Sequence, residues 1–299
     1  MKRTYLMGLV GMLLLAVVLP AQAVSLRYAF KKGTQFTYKI QNAGLSKTSG
    51  LGEDKGPSYA VRLDQTFRLK VVEVAANGDM ELEEEVIGGQ LKISAGDAGK
   101  QKALPKGTRR FRLTPLGEIT ALSADDPKSD SDAGNSGAPF DDKPFGFDAD
   151  TTQLDFLAAG LFVPLPEKEL KVGDSWESDF EVKASAFALE GVVDAAQGKA
   201  ASELLEIVNL NGHQCAKIKT RYEAPFQGEA TPKGAPFTIG IAGRVAGETI
   251  WYFDNAKSAD RYSQGTMNLA VKMTAILPGG GKEVSTTIVN NMKTNLLDK

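Results

Sequence analysis

Residues 61–71 read Val-Arg-Leu-Asp-Gln-Thr-Phe-Arg-Leu-Lys-Val, and this stretch decides the fold. Its apolar residues alternate with polar ones, which is the pattern of an antiparallel strand with one buried face and one exposed face. The run is longer than the usual strand of about five or six residues. We therefore predict long, curved strands.

A second alternating run, residues 266–277, predicts a strand of the same kind near the C-terminus. Turn residues between such runs predict β-hairpins at Asn77-Gly78, Asn211-Gly212, Asp254-Asn255 and Gly279-Gly280-Gly281. Glycine is abundant and helix-forming runs are scarce. The sequence therefore predicts a mainly β protein with long curved antiparallel hairpins, arranged as a half-open barrel or in a sandwich-like way.

The chain also repeats itself weakly with a period near 140 residues. Residues 31–36, Lys-Lys-Gly-Thr-Gln-Phe, are matched by residues 171–176, Lys-Val-Gly-Asp-Ser-Trp. Further pairs at similar offsets are Asn77-Gly78 with Asn211-Gly212, Phe111 with Trp251, and Leu113 with Phe253. A repeat of this length predicts two similar modules that arose by duplication, rather than a stacked array of short units.

Composition places a boundary between the two modules. Residues 123–139 contain no large apolar side chain and are rich in Asp, Ser, Gly and Pro. Such a segment buries too little surface to offset the entropy of ordering it. We predict a first β module at 24–122, a flexible acidic linker or loop at 123–149, and a second β module at 150–299.

One short helix is predicted at the start of the second module. Asp150 or Thr151 can cap it, and apolar residues from Leu154 onward follow helical spacing. Pro164 and Pro166 prevent its continuation. We expect this helix to close the open end of a sheet, and a lid over an apolar cavity is the alternative.

The first 23 residues have the composition of a cleaved leader. Lys2 and Arg3 precede an apolar run, Leu6–Leu19, which is shorter than the roughly 20 residues that span a bilayer. Ala21-Gln22-Ala23 is a small-x-small site, and no cysteine follows it for lipidation. We therefore predict cleavage after Ala23 and a periplasmic or extracellular protein that is not integral to a membrane.

Charge and cysteine content narrow the partners further. Of the 35 basic residues, two lie in the leader, so 33 remain against 37 acidic residues, a formal charge of −4. This mild charge does not suit nucleic acid, so we predict no such partner. The single cysteine, Cys215, cannot form an intramolecular disulfide, and its strand-like surroundings predict a small buried residue.

Catalytic and metal-binding patterns are weak. His213, the only histidine, lies two residues before Cys215, but no third group that could orient a Cys-His pair is apparent, and we expect an exposed hairpin residue. Two acidic clusters, residues 83–85 and Asp141-Asp142, could serve a glycosidase. Glu81, Glu83 and Glu85 lie on one face of the predicted strand, opposite Met80, Leu82 and Val86, and a solvated sheet face explains them.

Asp130, Asp132 and Asp141 have calcium-loop spacing without the expected glycine and glutamate. We predict no catalytic residue, metal or cofactor.

The second half resembles bacterial secreted proteins of unknown function. The resemblance rests on residues 165–168, Leu-Pro-Glu-Lys, on the Gly-Asp-x-Trp opening at 173–176, and on residues 247–254, Gly-Glu-Thr-Ile-Trp-Tyr-Phe-Asp. It covers the first half only through the repeat. The resemblance implies structural roles, with Gly173 in a turn and Trp176 and Trp251 in the core, and it implies no activity.

Together these observations predict an exported, non-catalytic envelope or extracellular protein. A curved sheet with one apolar face can form a groove for an apolar ligand or an envelope protein. A secreted hydrolase acting on envelope glycans or peptides is the alternative, and an outer-membrane barrel is a third possibility that the charged strand faces disfavour.

Overall fold

The computed structural model describes residues 23–50, 58–95, 98–104, 106–122, 162–183, 195–230, 238–277 and 280–297. Strands make up 77% of this part, and no helix occurs in it. The predicted leader up to Gln22, the linker and the short helix lie outside the described residues. The mainly β, antiparallel fold class is confirmed.

Twelve strands of the described part of the chain form one sheet. They are β1 (Gln35–Ser49), β2 (Ser58–Val74), β3 (Met80–Ala95), β4 (Ala98–Ala103), β5 (Thr108–Leu113), β6 (Ile119–Ala121), β7 (Ser175–Lys183), β8 (Ala195–Leu210), β9 (His213–Ala230), β10 (Thr238–Asp254), β11 (Ala259–Leu277) and β12 (Gly280–Leu297). Eight of them exceed 14 residues, as the long alternating runs predicted.

The order of strands across the sheet is β6-β5-β3-β2-β1-β12-β11-β10-β9-β8-β7, with β4 paired to β3 beside this path. The last strand, β12, lies between β1 and β11, so the first and the last described strands pair in the middle of the sheet. Strands β6 and β7 lie at opposite edges, and the described sheet is not closed into a barrel.

Burial alternates along the strands as the sequence predicted. In β2 the buried positions are Leu63, Gln65, Phe67, Leu69 and Val71, with more exposed residues between them. In β11 Met267, Leu269 and Val271 are buried in the same way. The hairpins at Asn77-Gly78, Asn211-Gly212 and Asp254-Asn255 are also confirmed, because they join β2 to β3, β8 to β9 and β10 to β11.

The two sequence-matched turns make the same backbone hydrogen bonds. Gly33 N donates to Val71 O at 2.9 Å, and Gly173 N donates to Leu204 O at 2.7 Å. Both glycines have positive φ, 86° and 92°, a conformation that other residues rarely adopt. Each turn also closes on the lysine that begins it, with Thr34 N bonded to Lys31 O and Asp174 N bonded to Lys171 O.

The strands that follow correspond in the same order. A register shift follows Val71 in the β2–β3 pair and Leu204 in the β8–β9 pair. Leu82 then pairs with Phe111, and Ile218 with Trp251. Matched contacts on β1, β2, β3 and β5 therefore recur on β7, β8, β9 and β10. The duplication and the module boundaries remain predictions, which these contacts support.

Two apolar clusters fill the buried face. The larger one joins both halves of the chain, since it includes Leu63 and Phe67 together with Ile218 and Phe253. The smaller one lies among β8 to β12 and includes Phe226. Within the described residues no helix is long and apolar enough to cross a membrane.

Two segments outside the strands pack together against the larger cluster. Val24 and Leu170 exchange two backbone hydrogen bonds of 2.8 Å. Tyr28 N bonds to Pro115 O, and Leu165 N bonds to Leu116 O, so both segments contact the loop after β5. These contacts hold residues 24–30 beside the start of β1, where the candidate site lies.

Candidate ligand-binding cleft

A cleft of about 400 Å³ lies where the segment before β1 meets the end of β12. Its size falls within the range of small-molecule sites, about 300–1,000 Å³. The lining residues come from four parts of the chain, and they are Ala29, Phe30, Lys31, Thr34, Gln35, Phe36, Thr37, Arg68, Lys257, Leu296 and Leu297. The sequence alone did not predict this site.

Three basic residues line the cleft. Lys31 belongs to the turn before β1, which is the first of the two sequence-matched turns. Arg68 belongs to β2, and Lys257 belongs to the turn between β10 and β11. Among the described residues that line the cleft, none is acidic. Glu85 accepts a hydrogen bond of 2.9 Å from Arg68 Nη1, and its side chain is half exposed. The cleft is therefore locally basic in a protein of net negative charge.

Apolar side chains form the other wall. The rings of Phe30 and Phe36 lie 4.7 Å apart between centroids, and Phe36 is 6.3 Å from Tyr38. Leu296 is partly buried and packs against the larger cluster, while Leu297 is 41% exposed. A ligand in the cleft would thus contact apolar side chains that are continuous with the core.

Strand register brings these residues together. Thr37 is the partner of Arg68 on β2 and of Leu297 on β12, so these three residues form one row across the sheet. Phe36 points the opposite way, since its partner is the buried Leu69. The start of β1 therefore presents Arg68, Thr37 and the apolar Leu297 on one face of the sheet and Phe36 on the other.

A buried polar cluster lies deeper than the cleft. The Tyr28 hydroxyl donates to Asp260 Oδ2 at 2.6 Å and accepts a hydrogen bond of 2.9 Å from Val163 N. Burial raises the pKa of Asp260 to about 7, although the hydrogen bond from Tyr28 opposes the rise. Asp260 is 4% exposed, and with a pKa of about 7 its carboxyl group is protonated below neutral pH.

His213 is partnered, which the sequence did not predict. Its Nδ1 lies 2.9 Å from Oδ2 of Asp254, a fully buried carboxylate, and the imidazole is about one-third exposed. Arg261 Nε lies 3.9 Å from the same oxygen. The other carboxylate oxygen of Asp254 accepts hydrogen bonds from the backbone of Ala256 and Lys257. Asp254 therefore fixes the β10–β11 turn that carries Lys257 into the cleft.

Cys215 is fully buried, as predicted. Burial and the neighbouring Asp254 raise the pKa of its thiol to about 11. A nucleophilic cysteine needs the opposite shift, because the thiolate is the reactive form. The proximity of Cys215 to His213 along β9 therefore does not activate the thiol.

The acidic residues of β3 divide between the two faces. Glu81, Glu83 and Glu85 lie on the more exposed face, where they pair with Arg110 or Arg68. Glu84 turns inward, is 2% exposed, and contacts Arg109 at 2.7 Å. Asp130, Asp132 and the pair Asp141-Asp142 lie outside the described residues.

Metal ligands do not gather in the described part of the chain. No group of three or more His, Cys, Asp or Glu side chains there is placed to hold a metal ion.

The side chains that the fold gathers in the cleft are basic, and they come from two turns and one β strand. Sequence reasoning missed the cleft because Lys31, Arg68 and Lys257 are far apart in the chain, and only the Phe30-Lys31 pair in the repeated turn could have indicated it.

Comparison with known proteins yields only distant likenesses. No family model matches the chain, and no curated protein matches it either. An outer membrane channel from Pseudomonas putida F1 is 7% identical, with 90% of this chain and 97% of the other covered, at a TM-score of 0.30.

Two further solved structures are similarly distant. DynF, from the dynemicin biosynthesis pathway of Micromonospora chersina, is 10% identical over 91% of this chain and 85% of its own, at a TM-score of 0.22. A DUF1329 family protein from Desulfovibrio piger is 9% identical over 88% and 86%, at a TM-score of 0.17. Likenesses this low carry no argument about function.

Proposed function

We propose that residues 1–23 export this protein to the periplasm or the extracellular medium, where it acts as a non-catalytic binding protein. Its ligand is an apolar molecule or an apolar segment of an envelope protein, held in the cleft between the start of β1 and the end of β12. The observation that carries the proposal is the cleft itself, whose size and continuous apolar wall suit a small ligand.

The lining of the cleft favours binding over catalysis. Its polar groups are Lys31, Arg68 and Lys257 with threonine and glutamine, whereas hydrolysis of glycans or peptides uses paired carboxylates or an activated nucleophile. Asp254 and Asp260 are buried at 0% and 4% exposure and are engaged in holding structure. The alternative function is a hydrolase, which requires two carboxylates, or His213 with Cys215, to converge in one cleft.

Export is tested with the full chain, leader included, in a bacterial host. We expect the protein outside the cytoplasm with Val24 as its first residue, determined by intact mass. An Ala23→Arg substitution should block cleavage at the small-x-small site, and Lys32→Gln serves as a control that leaves export unchanged. Uncleaved protein confined to the cytoplasm would overturn the location.

Ligand binding is tested on the exported protein, purified without detergent. Native mass spectrometry should show an adduct that is lost on extraction with organic solvent. The stripped protein should then bind dodecanol or dodecanoate, measured by calorimetry below the solubility limit of dodecanol and the critical micelle concentration of dodecanoate. If there is no adduct and neither probe binds, the proposed function is wrong.

A further inference from the structure

We propose that the cleft selects an anionic amphiphile: a carboxylate or phosphate head against Lys31, Arg68 and Lys257, with its alkyl chain against the apolar wall. This inference rests on the proposed function and adds the chemical class of the ligand. Charge complementarity is the observation behind it, because three cations and no acidic residue of the described chain line a cleft in an acidic protein.

The two kinds of lining match the two parts of such a ligand. Arg68 donates a hydrogen bond from Nη1 to Glu85. A guanidinium has five N–H donors in a planar fork, and this geometry suits the oxygens of a carboxylate or phosphate. Lys31 adds a compact positive charge in the adjacent turn. Phe30, Phe36 and Leu296 continue into the core and provide contact for methylene groups.

Glu85 acts as an internal competitor in this arrangement. Its carboxylate, on the exposed face of β3, accepts a hydrogen bond from Nη1 of Arg68, and its side chain is 51% exposed. An anionic ligand must share Arg68 with Glu85. Removing that carboxylate should therefore strengthen binding of an anion, whereas removing the arginine should weaken it.

The first test compares ligands and requires no variant. Dodecanoate and dodecyl phosphate should bind at least ten times more tightly than dodecanol, and their affinity should fall as salt rises because salt screens exposed charges. Inorganic phosphate alone should bind far more weakly than dodecyl phosphate. Equal affinity for dodecanol and dodecanoate would overturn the anion preference while leaving an apolar binding function intact.

The second test compares variants by affinity for dodecanoate. Lys31→Gln and Arg68→Gln should each weaken binding about three- to tenfold, and Glu85→Gln should strengthen it about threefold. Matched controls are Lys32→Gln in the same turn and Arg62→Gln on the same strand, which do not line the cleft. If the controls lose as much affinity as the cleft variants, the location is wrong.

The contact between the alkyl chain and Leu297 is tested with a variant of Leu297 and a matched control variant of Leu45. Leu297 in the cleft and Leu45 elsewhere on β1 are 41% and 42% exposed, so substitution of either should affect folding to a similar, small degree. Leu297→Asn should weaken binding of dodecanoate at least threefold, and Leu45→Asn should not change it. Equal affinity of both variants would exclude the proposed position of the alkyl chain.

Discussion

Tyr28 donates a hydrogen bond of 2.6 Å to Oδ2 of Asp260, a residue 232 positions later in the chain. Both side chains are buried, at 1% and 4% exposure. The Tyr28 ring also packs edge-on against Phe253, with centroids 5.1 Å apart. One tyrosine thus connects the segment before β1 to the β10–β11 hairpin, the two elements that supply Lys31 and Lys257 to the cleft.

The protein should lose stability as pH rises, because of Asp260. Its pKa is about 7 in the folded state and near 3.8 when exposed, so between these values the folded protein keeps a proton that the unfolded chain has lost. The stabilisation is complete below the lower value and is lost as pH rises through the higher one. The upper limit of this effect is about 4 kcal/mol.

Comparison with Asp260→Asn isolates this effect, since the amide does not titrate. We expect the variant to gain stability relative to the wild type between pH 4 and pH 8, measured as the free energy of unfolding in urea. Glu177→Gln, on the exposed face of β7, is the control and should show no such trend. A constant difference between wild type and Asp260→Asn across this range would contradict the assignment.

The strands and their turns could be predicted from the sequence because both depend on local pattern. Alternation over 61–71 specified which side chains of β2 are buried, and Asn77-Gly78 and Asn211-Gly212 marked the hairpins. The exception within β3 is Glu84, which occupies an inward position of the alternation. The alternation separates Glu84 from Glu81, Glu83 and Glu85, but it does not predict that an acidic residue lies buried.

The cleft and the polar cluster could not be predicted, because they depend on contacts between distant segments. Tyr28, Val163 and Asp260 are far apart in the sequence. They lie in contact in the folded protein, in which β12, the C-terminal strand, pairs with β1. His213 illustrates the same limit. Its position after a hairpin indicated exposure, whereas the register of β9 with β10 brings it to Asp254.

Cys215 should be unreactive in the folded protein. Its side chain has no exposure, and a thiol pKa of about 11 leaves little thiolate at pH 8. We expect labelling by a disulfide reagent such as DTNB to be at least a hundred times slower in buffer than in 6 M urea. Cys215→Ala provides the blank. Rapid labelling of native protein would indicate an accessible thiol and reopen a chemical role.

Glu84 should contribute far more to stability than its neighbour Glu85. Loss of the Glu84 carboxylate leaves the mostly buried Arg109 guanidinium without that charge partner, which costs about 3 kcal/mol for buried pairs. The exposed Glu85–Arg68 pair is worth about 1 kcal/mol or less. Glu84→Ala and Glu85→Ala are compared by urea unfolding at pH 7.

Replacing both members of the buried pair separates charge from packing. The double variant Glu84→Leu/Arg109→Leu should recover much of the stability that Glu84→Leu alone loses, because it removes the buried Arg109 charge together with the carboxylate that Arg109 contacts. Similar losses for Glu84→Ala and Glu85→Ala, or no recovery in the double variant, would show that the inward pair is not important for stability.

Gly247 on β10 should be hard to replace, because its neighbours occupy the space of a side chain. A Cβ at this position would lie 2.4 Å from the Tyr222 hydroxyl oxygen and 2.5 Å from the backbone carbonyl oxygen of Thr266. Gly240 on the same strand is the matched control, since its Cβ would meet nothing closer than Thr274 O at 3.9 Å. We expect Gly247→Ala to cost roughly 2–3 kcal/mol in urea unfolding and Gly240→Ala to stay within about 0.5 kcal/mol of the wild type. Equal effects would mean that Tyr222 and the β11 backbone do not approach β10 this closely.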